Sequence, residues 1–182
     1  MPTLWTIGHS TRPWDDFVAM LQEAGIQAVV DVRRFAGSRR HPQYSGQAMP
    51  AALAEVGIAY VPMPDLGGRR RARPDSPNTA WRSEAFRGYA DYMQTPEYAA
   101  ARESLAALAQ DKRTAVMCAE AVWWRCHRGL ISDDFKVRGW EVIHLMTLGR
   151  GEEHPYTSAA HVDEAGRLSY AEAPGPQAGL FG

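Results

Sequence analysis

Short apolar runs alternating with stretches of helical periodicity constrain this chain more than any other feature. The runs cover residues 4–7, 28–32, 58–61, 114–117 and 142–146, and they are rich in Val, Ile and Leu. Between the first two, Trp14, Phe17, Val18 and Leu21 repeat at helical spacing. Thr11 and Pro13 open that helix and Gly25 closes it. A second helix spans 48–56 and stops at Gly57. Phe86, Tyr89, Ala90 and Met93 mark a third, and Pro96 opens a fourth that runs through Leu105 and Leu108. The spacing of Leu130, Ile131 and Phe135 predicts a helix from about 123 to 138, ended by Gly139. Strands that alternate with helices predict a parallel sheet covered on both faces.

The expected fold class is therefore α/β, three-layer, with a mostly parallel five-stranded sheet in the Rossmann-like order 3-2-1-4-5. Crossovers of that kind are almost always right-handed. The region after Gly149 is rich in Gly and Pro, with one short hairpin expected near 161–170. A length of 182 residues suits a single domain over 1–170, followed by a Pro/Gly-rich tail over 171–182.

In such a sheet, all strands point their C-terminal ends to one rim, and ligands bind there where the strand order reverses. The reversal is expected between strands 1 and 4. Strand 1 ends in His9-Ser10, strand 4 in Cys118-Ala119-Glu120, and strand 2 delivers Asp31, Arg33 and Arg34. A lone His or Asp at a strand end usually serves its own loop; three such ends converging carry more weight. The segment CAEAVWWRCHR, residues 118–128, leads from a strand end into a helix start. Free N–H groups at a helix N-terminus favour anions. Arg125, His127 and Arg128 add donors in the expected first turns, and Cys118 facing this field should have a lowered thiol pKa. Cys126, one turn into the helix, reads as a packing residue. A zinc site from Cys118, Cys126 and His127 lacks the second close pair that structural zinc prefers. A phosphatase loop fails on register, because six residues separate Cys118 from Arg125. The run Asp31-Val32-Arg33 suggests a rhodanese-like arrangement by analogy only.

Composition matters for what the rim can attract. The net charge is −1, so no global field draws the chain to nucleic acid or membrane. Of 20 Lys and Arg residues only Lys112 and Lys136 are lysine. Codon bias accounts for that ratio but not for the placement of the arginines. Arg39, Arg40 and His41 follow strand 2, and Arg69, Arg70, Arg71 and Arg73 follow strand 3. Trp81, Arg82, Phe86, Arg87 and Tyr89 come close behind, a mixture of cations and aromatics that can hold phosphates and stack bases. Runs of arginine in loops are as often solvated or paired with Asp65 and Asp75, the reading preferred for 69–73. The two cysteines lie eight positions apart and form no secreted disulfide framework. No signal peptide or membrane span is legible, so the expected location is the cytoplasm.

These segments resemble a bacterial family described as domain of unknown function 488. The matching pieces are TIGHS at 6–10, VVDVR at 29–33, SRRHPQY at 38–44 and LGGRR at 66–70. WRSEAFRGYADYM at 81–93, CAEAVWWRCHR at 118–128, EVIHL at 141–145 and HPYT at 154–157 follow in order. The resemblance covers roughly residues 3–170. It implies an α/β domain and no established activity. Two positions depart from the family pattern, which has a small residue where Arg34 stands and a proline near Ala36.

The functional expectation is an anion pocket that acts on or senses a phosphate-bearing ligand, either a nucleotide or nucleic acid. His9, Cys118 and Glu120 are the candidate chemical groups. Ser10, Asp31, Arg33, Arg40, Trp81, Arg82, Arg87, Arg125, His127 and Arg128 are the candidate ligand-binding residues. No cofactor, metal or membrane partner is expected. The alternatives are a non-catalytic nucleic-acid-binding module and a structural or partner-binding domain.

Overall fold

A computed structural model describes residues 1–172 of the chain; most of the expected tail at 171–182 lies outside the described residues. The elements run β1 (Thr3–Gly8), α1 (Trp14–Glu23), β2 (Ala28–Asp31), α2 (Met49–Ala54) and β3 (Ala59–Pro62). They continue with α3 (Glu84–Tyr92), α4 (Pro96–Asp111), β4 (Thr114–Cys118), α5 (Arg128–Val137) and β5 (Glu141–Thr147). Three short strands follow: β6 (Arg150–Glu153), β7 (His161–Val162) and β8 (Leu168–Ser169). β7 and β8 form the hairpin expected near the C-terminus. Among the described residues, no helix is long and apolar enough to cross a membrane.

The class is α/β, with helices on both faces of a mostly parallel sheet, but the strand order is β3-β2-β4-β1-β5-β6. β4 sits between β2 and β1, where the sequence reading had β1 beside β2. The reason is physical. Both β1 and β4 are buried along nearly their whole length, so both read as central strands and nothing in their composition says which lies next to β2. A sixth strand, β6, joins antiparallel to β5 through a turn in which Gly149 takes φ +79°. That left-handed conformation is accessible to glycine at low cost.

Side chains on the sheet alternate between two cores. Ile7, Val29, Ala115 and Met117 pack with Phe17, Met20 and Leu21 of α1 and with Met49 and Leu53 of α2. Leu4, Val30, Val116 and Val142 pack on the opposite face with Tyr89, Tyr98, Leu105, Leu130, Ile131 and Phe135 of α3, α4 and α5. Helices that connect strands toward β3 thus lie on one face. Those that connect back toward β5 lie on the other, as a single crossover hand requires.

The segment after β4 is not the continuous helix expected from about 123. A 3-10 turn covers Trp123–Arg125, Cys126 is extended with φ −135° and ψ 149°, and α5 starts only at Arg128. This loop lies hard against the end of β1. A Cβ placed on Gly8 would sit 1.7 Å from the Glu120 carbonyl oxygen. Gly8→Ala must therefore push the loop away from the strand. The expected cost is about 2–4 kcal/mol, read as a lowered urea midpoint; an unchanged midpoint would mean that the loop can move freely.

Candidate functional site

Because β4 lies between β1 and β2, three chain turns meet at one place on the rim. Gly8 is in register with Cys118, and Asp31 with Met117. The backbone carries the contact past the strand ends: His9 N–H donates to the Cys118 carbonyl and Ser10 N–H to that of Ala119, both at 2.9 Å. α1 leaves β1 on one face and α5 follows β4 on the other, so the expected crevice opens between these two strands. Ser10 has φ +46°, a conformation a non-glycine residue rarely adopts without a structural or functional reason.

Asp31, His9 and Arg33 form one buried polar cluster. Arg33 grips the Asp31 carboxylate in a two-point contact, Nε to Oδ1 at 2.9 Å and Nη2 to Oδ2 at 2.7 Å. Burial works against the Arg33 charge, but the bonded carboxylate more than offsets it and raises its pKa. Tyr60 Oη donates to the same carboxylate at 2.5 Å. The remaining Arg33 nitrogen, Nη1, lies 3.3 Å from His9 Nε2, while His9 Nδ1 lies 2.9 Å from the Ser10 carbonyl. A carbonyl only accepts, so Nδ1 carries the proton and Nε2 takes the arginine's hydrogen bond. His9 is stacked on Tyr44 at 4.4 Å, and burial lowers its pKa to about 4. His9 and Arg33 are thus already satisfied by the protein. They shape the pocket floor, and the fork of Arg33 is not free for an incoming anion.

The two thiols correct the sequence reading. Cys118 is buried at the end of β4, about ten residues before α5, outside the reach of its N-terminal field. Burial, and then its hydrogen bond to Cys126, push its pKa well up rather than down. The Cys126 and Cys118 sulfurs lie 2.8 Å apart. The backbone N–H of Arg128 donates to Cys126 Sγ at 3.4 Å. Burial opposes the Cys126 thiolate, yet the Cys118 hydrogen bond and the Arg128 charge together bring its pKa below the ordinary thiol value. Cys126, read from sequence as a packing residue, is thus the thiol of the two whose pKa is lowered. His127 Nε2 donates to the Val32 carbonyl at 2.9 Å, leaving Nδ1 as a lone pair 3.4 Å from Cys126 Sγ. Burial keeps this imidazole neutral, with a lowered pKa.

Arg128 lies beneath the loop, 1% exposed. Its Nη2 donates to the Ala121 carbonyl at 3.3 Å. Nε and Nη1 have no hydrogen-bond partner among the described residues, and no described carboxylate pairs with it. Arg128 is therefore a buried cation beside two thiols and not a ligand-facing donor.

Above this floor opens a cleft of about 730 Å³. His9, Ser10, Arg33, Arg40, Cys118, Glu120, Arg125 and His127 line it, and so do Arg34, Arg39, His41 and Arg69. Arg34, Arg39, Arg40, Arg69 and Arg125 are exposed, and none pairs with a carboxylate among the described residues. Among the described residues Glu120 is the only acidic side chain in the wall, and it is exposed rather than held against a reacting group. Phe35, also exposed, has the Arg34 and Arg69 guanidinium groups each 5.6 Å from its ring. Arg69 at φ +60° is a second strained residue on the cleft.

Five expected binding residues do not line it: Asp31 and Arg128 are buried, and Trp81, Arg82 and Arg87 lie elsewhere. Trp81 packs on Phe86 and Tyr170, Arg87 donates to the Trp81 carbonyl at 3.0 Å, and Arg82 is exposed without lining the cleft. The helix they flank instead presents Phe86 and Tyr89 to the cleft. Arg34 and Arg69 were undervalued because a loop cation reads as solvated until its neighbours are known. A second polar chain was not read as a contact, although His144, His154 and Thr157 stand in the EVIHL and HPYT segments. Asp133 accepts from His154 Nε2 at 2.7 Å, Thr157 Oγ1 at 2.5 Å and Tyr170 Oη at 2.6 Å. The His154 ring bonds to His144 at 2.8 Å, and His144 to Thr6 at 2.5 Å. Among the described residues, no three His, Cys, Asp or Glu side chains are arranged to hold a metal.

A family model described as Domain of unknown function DUF488 matches residues 13–134, and the chain belongs to this family. No curated protein and no solved structure matches the chain.

Buried neutral histidines set a pH dependence. The folded pKa is depressed to about 4 for His9 and to about 2 for His144, whereas an unfolded histidine titrates near 6.5. As pH falls from 7 to 5 the unfolded chain takes up protons that the folded one refuses, so stability declines on acidification. Each such histidine should cost about 1–2 kcal/mol at pH 5. Urea midpoints at pH 7 and pH 5 measure this, and His9→Gln should flatten part of the slope. A midpoint that holds at pH 5 contradicts the buried neutral rings.

Proposed function

We propose that the rim cleft binds a phosphate-bearing small molecule of nucleotide size. The observation that carries the reading is the density of uncompensated cation. Five exposed arginines with no carboxylate partner among the described residues surround one concave site, on a protein whose net charge is −1. Gathering like charges costs repulsion, and an anion held between them relieves it. Arginine's fork matches phosphate oxygens two at a time. Phe35 and Phe86 add apolar aromatic surface at the same mouth, suited to an attached base or another planar group. A concave site of this volume fits a compact ligand better than a duplex, whose phosphates need a broad convex or grooved face.

The experiment is calorimetric titration of the full chain with AMP, ADP and inorganic phosphate at low salt. Arg40→Ala and Arg125→Ala should each weaken phosphate-ester binding by about 10- to 100-fold, the size of a charged hydrogen bond. Arg82→Ala should change it little. Absence of binding by every phosphate ester at millimolar concentration contradicts the reading. So does tight, salt-steep binding of an oligonucleotide by a chain that ignores the mononucleotides.

A further inference from the structure

We infer that Cys118 and Cys126 are a redox-active dithiol that reduces a small disulfide entering the cleft, with Cys126 as the attacking sulfur and Cys118 as the resolving one. The inference stands apart from phosphate binding, since the cleft can hold an anion with both thiols inert.

Four observations carry it. The sulfurs are 2.8 Å apart across an eight-residue loop, so bond formation needs a shift of under about 1 Å. Both cysteines line the cleft. The nearest cation, Arg128, is buried with two nitrogens that no described group accepts from. A thiolate at Cys126 supplies the negative charge that such a cation lacks. Finally, His127 Nδ1 faces Cys126 Sγ at 3.4 Å and is oriented by the Val32 carbonyl. This is the arrangement of a nucleophile, a base and an orienting acceptor.

The chemistry balances with one disulfide, RSSR. The Cys126 proton passes to His127 Nδ1 and the thiolate attacks one sulfur of RSSR. The Cys126–SR bond forms, the S–S bond breaks, and RS⁻ leaves and takes the proton from His127. Cys118 then attacks the Cys126 sulfur. The second RS⁻ departs with the Cys118 proton, leaving a Cys118–Cys126 disulfide. Two electrons and two protons have moved from the protein to RSSR, which becomes two RSH. The arginine-lined mouth favours a substrate that carries carboxylates.

With two cysteines in the whole chain, the readout is unambiguous. The full chain is equilibrated in reduced and oxidised glutathione mixtures, quenched by acid, alkylated and read by mass. The expected result is a reversible loss of two hydrogens within the peptide spanning both cysteines, with no dimer. Cys118→Ser should trap a glutathione adduct on Cys126. Cys126→Ser should form no adduct on Cys118. In the unmodified chain, Cys126 should alkylate at pH 7 about tenfold faster than Cys118. Two thiols that stay reduced in the native chain across all mixtures overturn the inference. So does capture of Cys118 in place of Cys126.

Discussion

The insertion of β4 between β1 and β2 is the constraint on which the rest depends. Parallel pairing at this position, continued by the two backbone hydrogen bonds from the His9 turn to the 118–119 carbonyls, draws the ends of three strands within contact of one another. The glycine at position 8 permits that approach, because any Cβ there would collide with the loop backbone. Once the loop is held, the locations of Cys126, His127 and Arg128 follow from the 3-10 turn that precedes them.

Two kinds of charge coexist at this rim, and they are organised differently. Arg33 is spent on Asp31, Tyr44 and His9, so its charge is neutralised and its role is to hold the floor rigid. The exposed arginines above it meet no carboxylate among the described residues, and solvent screens their mutual repulsion only in part. Arg128 is the intermediate case. It is removed from water and no carboxylate among the described residues pairs with it, and a buried cation of that kind is expensive unless something near it carries negative charge. Its position beside two sulfurs links the electrostatics of the loop to the chemistry available there.

Much of this was legible in the residues. Apolar runs and helical spacing located the five parallel strands and, apart from the start of α5, the five helices to within a few residues, because each buries a continuous stripe. The convergence of His9, Arg33, Cys118 and His127 followed from the parallel-sheet rim alone and survived the change in strand order. The order itself was not legible, since TLWTIG and TAVMC are both buried along nearly their whole length and either could neighbour β2. The late start of α5 was hidden because WWRCHR contains no helix breaker. The expected lowering of the Cys118 pKa failed for the same reason: the helix N-terminus it rested on begins ten residues after Cys118. The Asp133–His154–His144 chain joins positions far apart in sequence, and no local pattern announces such a contact.

The central claim is that the β1 turn, the arginine loops and the 118–127 segment form one anion-attracting surface. Backbone amide chemical shifts recorded during a pyrophosphate titration test it most directly. The shifts should concentrate at residues 9–11, 34–41, 68–69 and 119–127 and saturate with a single affinity. Shifts scattered over unrelated surface arginines such as Arg73, Arg138 and Arg167, with the rim unmoved, would contradict it.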